Sequence, residues 1–220
     1  MTNRKLLLKL VSASLVAIAG MPSFAQSAIE IGATVPLTGP AALSGTQYHN
    51  SLRLAEEHIN KAGGINGKPI RFVFEDAQST NPTALNAFMK IVQEKKPTFV
   101  FLSSYSTQNM AVAPEVLKAR VPVMYAGGAD ALQALKNPYM FRIRPADSTA
   151  AVAMAQFVKG TLKATKPGII YIQNDFGQGA AKAATKTLAD AGIAVVASEA
   201  YGGNDKDMSA KLLGLKNKGA

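Results

Sequence analysis

The sequence predicts an α/β protein of two doubly wound parallel-sheet lobes joined by a hinge, and three observations predict it. Strand and helix patterns alternate almost without interruption from Ile29 to Lys218. Each pair of successive strands is separated by a stretch long enough for a helix, the connection that parallel pairing requires. At Pro145-Ala146-Asp147-Ser148 the pattern breaks and starts again, so a second lobe of the same kind follows the first.

The elements follow in order. Ile29–Val35 is a strand, and Gly45–Lys61 is a helix with Leu52, Ala55 and Ile59 at helical spacing. Ile70–Glu75 alternates Ile70, Phe72 and Phe74 as a strand does. Asn81-Pro82 reads as an N-cap and a first-turn proline, opening a helix to Lys95. Thr98–Leu102 is a continuous apolar run, suited to a strand covered on both faces. Next come a helix over Thr107–Ala119, a strand over Val121–Tyr125, a short helix ending at Leu135 and a short strand over Met140–Ile143. Asp147 is the expected N-cap of a helix to Leu162. The second lobe continues as strand Gly168–Gln173, helix Phe176–Ala191, strand Ile193–Ser198 and helix Asp207–Lys218.

The first 25 residues read as an export signal rather than as fold. Arg4, Lys5 and Lys9 precede an apolar run from Leu10 to Gly20, and Ser23-Phe24-Ala25 supplies small residues for cleavage after Ala25. The run is shorter than the roughly 20 apolar residues of a membrane span. The expected organisation is a signal peptide over 1–25, an N-terminal lobe over 26–145 and a partial second lobe over 146–220. The expected location is the periplasm.

Cysteine is absent, which removes disulfide and thiol chemistry. The net charge is +10, but the lysines are scattered over helix faces with no basic run, and no nucleic-acid partner is expected. Enzyme signatures are also missing: there is no Gly-x-Ser-x-Gly elbow, no His-Glu-x-x-His and no phosphate-binding P-loop. His49 and His58 lie nine residues apart on the first helix and do not suggest a metal pair. Gly177-Gln178-Gly179 begins a dinucleotide fingerprint, but Lys182 stands where its third glycine belongs. No catalysis, cofactor or metal is expected.

What the chain does offer is a series of small polar loops after its strands, where open parallel sheets bind ligands. They are Leu37-Thr38-Gly39-Pro40 with Ser44, then Ser103-Ser104-Tyr105-Ser106-Thr107, then Gly127-Gly128-Ala129-Asp130, and Gln173-Asn174-Asp175-Phe176. The serine-rich loop opens a helix, whose dipole and free N–H groups suit a carboxylate; alternatively Ser104 or Ser106 only caps that helix. Asp130 has two readings, pairing with an ammonium group or capping the short helix Ala131–Leu135. Phe176 is either an apolar lid or core.

Taken together, several segments resemble the periplasmic solute-binding proteins of ABC importers, in the Leu/Ile/Val-binding group with the type I periplasmic-binding fold. They are Ile31-Gly32…Pro36-Leu37-Thr38-Gly39-Pro40, Ala55-Glu56…Ile59-Asn60…Gly63-Gly64-Ile65-Asn66-Gly67, Ser103-Ser104…Ser106-Thr107, Phe141-Arg142-Ile143-Arg144-Pro145, Asp175-Phe176-Gly177 and Lys206-Asp207-Met208-Ser209. The resemblance implies a ligand held between closing lobes. It implies a carboxylate on Ser104 with nearby Ser103 and Leu102 backbone, an ammonium group met by the Gly128 carbonyl and Asp130, and a second-lobe aromatic at Phe176. Ser44 stands where some members place an aromatic, and Asp130 where most have a hydroxyl. These departures leave amides, urea and aromatic acids open beside apolar amino acids.

The resemblance further implies a monomeric carrier that captures an amino acid, branched-chain by default, and delivers it to an ABC permease in the inner membrane. The sensor domain of a receptor is the rival. Family chains run well past residue 220, so the second lobe is expected to be incomplete here.

Overall fold

The computed structural model describes residues 27–220. The expected export signal lies outside the described residues. Along the chain run β1 (Ile29–Val35), α1 (Ala42–Lys61), β2 (Ile70–Asp76), α2 (Asn81–Lys95), β3 (Val100–Phe101), α3 (Ser106–Ala119), β4 (Val123–Tyr125), α4 (Asp130–Ala134) and β5 (Met140–Arg142). There follow α5 (Asp147–Phe157), a π-helical turn (Val158–Leu162), β6 (Gly168–Ile172), α6 (Asp175–Asp190), β7 (Ala197–Tyr201) and α7 (Ser209–Asn217).

The first five strands form one sheet in the order β2-β1-β3-β4-β5, and every pairing is parallel. The chain steps outward once, from β1 to β2, and then returns across β1 to run the other way. Right-handed crossovers therefore put α1 on one face and α2, α3 and α4 on the other. The two cores match. Ile31, Ala33, Ile70 and Phe72 pack under Leu52 of α1. Val100, Leu102, Val123 and Tyr125 pack under Phe88, Ile91, Val112 and Val116 of α2 and α3, with Leu132 of α4. Gly32 faces α2 so closely that a Cβ there would meet Ile91 Cγ2 at 2.5 Å.

The outer edge of β2 is closed by α1. Asn60 accepts from the Ile70 N–H and donates to its carbonyl (2.7 and 2.9 Å), and Glu56 accepts from the Phe72 N–H at 2.7 Å. Side chains thus occupy groups that would otherwise template another strand.

In the second lobe β6 and β7 form a parallel pair, and the far edge of β6 carries no strand among the described residues. The first strand of each lobe is followed alike by a tight turn and a helix pressed onto the strand end. A Cβ on Gly45 would collide with the Pro36 carbonyl oxygen, and one on Gly177 with that of Ile172.

Several boundaries differ from the sequence expectation for local reasons. Thr80, not Asn81, caps α2, its hydroxyl accepting from the Thr83 N–H at 3.3 Å. The strand expected from Val121 starts at Val123, because Pro122 has no N–H to pair. Asp147 does not cap α5. Ala146 holds the cap position and Asp147 is the first helical residue. The expected continuation to Leu162 is a π-helical turn with no buried residue to hold an α-helical register. The expected strand Ile193–Ser198 is displaced to Ala197–Tyr201. Gly192 turns at φ 82°, the Ile193 N–H bonds back to the Leu188 carbonyl at 2.9 Å, and the Ile193 side chain joins Ala155 and Leu188 in the core. That apolar run serves helix packing, and pairing with β6 starts only after it.

Candidate functional site

Chain connections leave β1 and β3 towards opposite faces of the sheet, which opens a crevice beyond their carboxyl ends. The loop after β1 is pinned there by Asp76 at the end of β2. Its carboxylate accepts from the Leu37 N–H (2.8 Å), the Thr38 N–H (3.3 Å), the Thr38 hydroxyl (2.7 Å) and the Gln78 N–H (2.8 Å). Burial pushes the Asp76 carboxyl up, but these bonds outweigh it and hold the group below its ordinary value. Ser79 completes the clamp, donating to the Thr38 carbonyl and accepting from the Ala41 N–H.

The clamp sets α1 so that Ser44, near its start, faces the loop after β3. The Ser44 hydroxyl donates to the Ala41 carbonyl at 3.0 Å and lies 3.3 Å from the Tyr105 hydroxyl. One turn further along α1, Tyr48 feels the Arg144 charge. Burial raises the Tyr48 phenol and the guanidinium partly offsets that rise.

The serines of the second loop separate into two roles. Ser103 is buried, donates to Gln108 Oε1 at 2.5 Å and accepts from the Tyr105 N–H. Ser106 is buried and accepts from the Ala129 N–H at 3.2 Å. Leu102 is core, its N–H bonded to the Met124 carbonyl. Ser104 is partly open and makes no hydrogen bond among the described residues. No side chain caps α3, so the capping role considered for Ser104 and Ser106 is not used.

After β4, Gly127 and Gly128 let the crossover chain come close. The Gly128 carbonyl accepts from the Asp147 N–H (2.9 Å) and from Arg142 (3.4 Å), and Arg142 also reaches the Ala129 carbonyl (2.9 Å) from beside the Tyr125 ring. A Cβ on Gly128 would overlap the Asp147 carboxylate and stand 2.5 Å from Arg144 Nη2. Asp147 is 6% exposed, and its Oδ1 accepts from Arg144 at 2.6 Å. Burial raises the Asp147 carboxyl, and the Arg144 charge works against that rise. Asp147 Oδ2 is buried without a partner among the described residues.

Asp130 does not cap α4, in which it is the first helical residue after Ala129. Its carboxylate accepts from the Ser148 N–H (3.1 Å) and hydroxyl (2.7 Å), capping the start of α5 from the other lobe. Phe176, at the start of α6 and 40% exposed, faces the mouth from the second lobe. The helix start behind it is capped by Asn174, which accepts from the Gly177 N–H at 2.9 Å.

A cavity of about 590 Å³ opens from this mouth, and of the seven residues expected from sequence only Phe176 lines it. Its wall runs along every residue from Pro167 to Ile172, the free side of β6, with α5 and α6 above. Arg144, Asp147 and Phe176 line the same cavity. A second cavity of about 540 Å³ lies behind the crossover and is lined by Tyr125, Arg142 and, again, Arg144. Sequence reading did not single out Arg144 or Tyr48. Arg144 sits inside the Phe141–Pro145 segment, where nothing in the sequence separates it from the other scattered bases.

This geometry has known counterparts. The family model described as periplasmic binding protein matches residues 28–220. A Leu/Ile/Val-binding protein homolog of Brucella melitensis is 33% identical over 219 residues, covering 97% of this chain and 58% of the relative. A leucine-, isoleucine-, valine-, threonine- and alanine-binding protein of Pseudomonas aeruginosa is 30% identical, covering 92% of this chain and 55% of the relative. Among solved structures, the branched-chain amino acid transporter substrate-binding protein LivJ of Streptococcus pneumoniae, in complex with isoleucine, superposes with a TM-score of 0.78 at 28% identity. It covers 86% of this chain and 54% of LivJ. The chain thus spans about half the length of the relatives it matches. On the family match and the shared fold, the chain belongs to the periplasmic binding protein family, with the type I periplasmic-binding fold.

Proposed function

We propose that the protein is the solute-capturing component of an ABC importer, working outside the cytoplasm and handing its solute to an inner-membrane permease. The solute is a small molecule with a carboxylate, of amino-acid size, held between a first lobe of residues 26–145 and a second lobe that begins at 146. The chain acts by binding and closure rather than by catalysis, as a monomer and without a cofactor. The observation that carries this reading is the split among the loop serines: Ser103 and Ser106 are buried and bonded, while Ser104 stands free at the uncapped start of α3. A free hydroxyl beside unpaired helix N–H groups is a carboxylate seat. Leu102, Ser103 and Gly128 shape that seat from behind, Ser44 and Asp130 flank it, and Phe176 covers it on closure.

The names of the relatives make branched-chain and other apolar amino acids the first ligands to try, with aromatic acids, amides and urea beside them. Thermal unfolding of the full-length protein against such a panel tests the reading, since a ligand of the native state raises the melting temperature by mass action. A shift with at least one small carboxylate is expected. No shift with any of them removes the solute-capture reading.

A further inference from the structure

A line of hydroxyls stands beside the carboxylate seat, and its hydrogen bonds run in one direction. Ser44 has a single proton, which goes to the Ala41 carbonyl at 3.0 Å. The Tyr105 hydroxyl, 3.3 Å from Ser44 Oγ, is therefore the donor of that contact. A phenol has one proton to give. With it spent on Ser44, the Tyr105 oxygen is left as an acceptor.

Both partners are held in place. Tyr105 donates its N–H to Ser103 Oγ at 3.3 Å, and its carbonyl accepts from the Asn109 N–H at 3.0 Å. Ser44 rides on α1, where the next residue, Gly45, packs directly against the Pro36 carbonyl. Tyr105 and Ser44 are half-buried, so a solute that covers this acceptor without offering a donor leaves it unpaired. Tyr48, one turn after Ser44 on the same side of α1, adds a third hydroxyl to the wall. Burial raises its phenol, so this one keeps its proton at neutral pH.

We propose that Tyr105, set by Ser44, is a specificity-determining residue that reads a hydrogen-bond donor at the far end of the solute. Ser104 immediately precedes it, so the Tyr105 side chain leads from the carboxylate seat to Ser44 and measures the solute against its own length. A carboxylic acid with a hydroxyl across an aromatic ring from its acid-bearing position matches that span. Its ring has the exposed Phe176 to rest on when the lobes close. The class includes such acids with and without an α-ammonium group. A branched aliphatic side chain ends in methyl groups and has no donor to offer. This inference rests on the solute-capture reading above and narrows it.

The test uses two pairs in which fluorine replaces the hydroxyl at nearly the same size: 4-hydroxybenzoate with 4-fluorobenzoate, and tyrosine with 4-fluorophenylalanine. Titration calorimetry on the full-length protein is expected to show the hydroxyl member of at least one pair binding at least about threefold more tightly, within the range that one neutral hydrogen bond supplies. Tyr105→Phe keeps the ring and removes the acceptor, and should bring that ratio close to one. Ser44→Ala returns the Tyr105 proton to the mouth and should narrow the ratio by less, because the freed hydroxyl still accepts. Circular dichroism and the melting temperature of both variants without solute serve as the folding control. A smaller ratio in both pairs overturns the proposal and leaves solute capture standing. So does the full ratio kept by folded Tyr105→Phe, or a tightest solute, among these and the wider panel, that carries no such hydroxyl. If no acid or amino acid of the panel binds, the solute-capture reading fails and this proposal with it.

Discussion

Asp130, at the end of the first lobe, supplies the missing cap of α5 in the second by accepting from both the N–H and the hydroxyl of Ser148. One carboxylate therefore does for the crossover what a local Ser or Asp does for an ordinary helix start. It also ties the loop after β4 to the first turn beyond the hinge.

Asp130→Ala removes this cap, since the Ala146 methyl has no acceptor to replace it. The expected cost is about 1 kcal/mol of stability, the usual value of a lost cap. Urea unfolding of the variant beside the parent measures it, and Ser148→Ala should lose less, because the Ser148 N–H still reaches Asp130.

Asp76 makes stability depend on acidity in a definite direction. Its folded pKa lies below the ordinary 3.8, so its contribution is present above that value and disappears as pH falls through the folded pKa. Asp76→Asn should melt at lower temperature than the parent at neutral pH, and the gap should close below about pH 4. Melting curves between pH 2.5 and 7, bounds set around that titration range, test the sign.

Ser103 and Ser104 should separate experimentally although they are neighbours. Ser103→Ala leaves the buried Gln108 Oε1 without its donor, at a cost of roughly 1–3 kcal/mol. Ser104→Ala should stay within about 0.5 kcal/mol of the parent, as surface changes do, and should instead weaken solute binding. Chemical denaturation and calorimetry on the two variants give opposite patterns.

Gly128→Ala forces a methyl into the Asp147–Arg144 pair. Overpacking of this kind costs roughly 1–3 kcal/mol, and it displaces Arg144. Stability and solute affinity should fall together, read by calorimetry and thermal unfolding on one preparation.

Gly45→Ala and Gly177→Ala should each destabilise by roughly 1–3 kcal/mol, because the atom in the way is a backbone carbonyl that cannot rotate aside. Gly160→Ala, where a Cβ meets nothing within 4 Å, is the matched control and should be neutral or stabilising.

The order of elements was legible in the sequence because apolar periodicity is a local property, and nearly every helix and strand lies where that pattern puts it. Caps and register were less so. Thr80 and Asn81 are equally good caps in composition, and the geometry of the β2–α2 loop chose between them. Ile193–Val196 has a strand composition, but the end of α6 needed its apolar side chains first. The loops offered for the site follow from their position after strands. Which serine within a loop is free was not readable, because Ser103 and Ser106 are turned inward by partners 5 and 23 residues away. Arg144 escaped for the same reason: its place beside Gly128 and in one cavity with Phe176 is a fact of three dimensions.

The starts of α1, α3, α5 and α6 all lie at the carboxyl ends of the strands. Their aligned peptide dipoles give the mouth a positive field made mostly of backbone, to which the guanidinium of Arg144 adds. Above the range in which Asp76 and Asp147 titrate, the host thus presents one unchanging face. There, any pH dependence of capture should belong to the guest and follow its own ionisable groups.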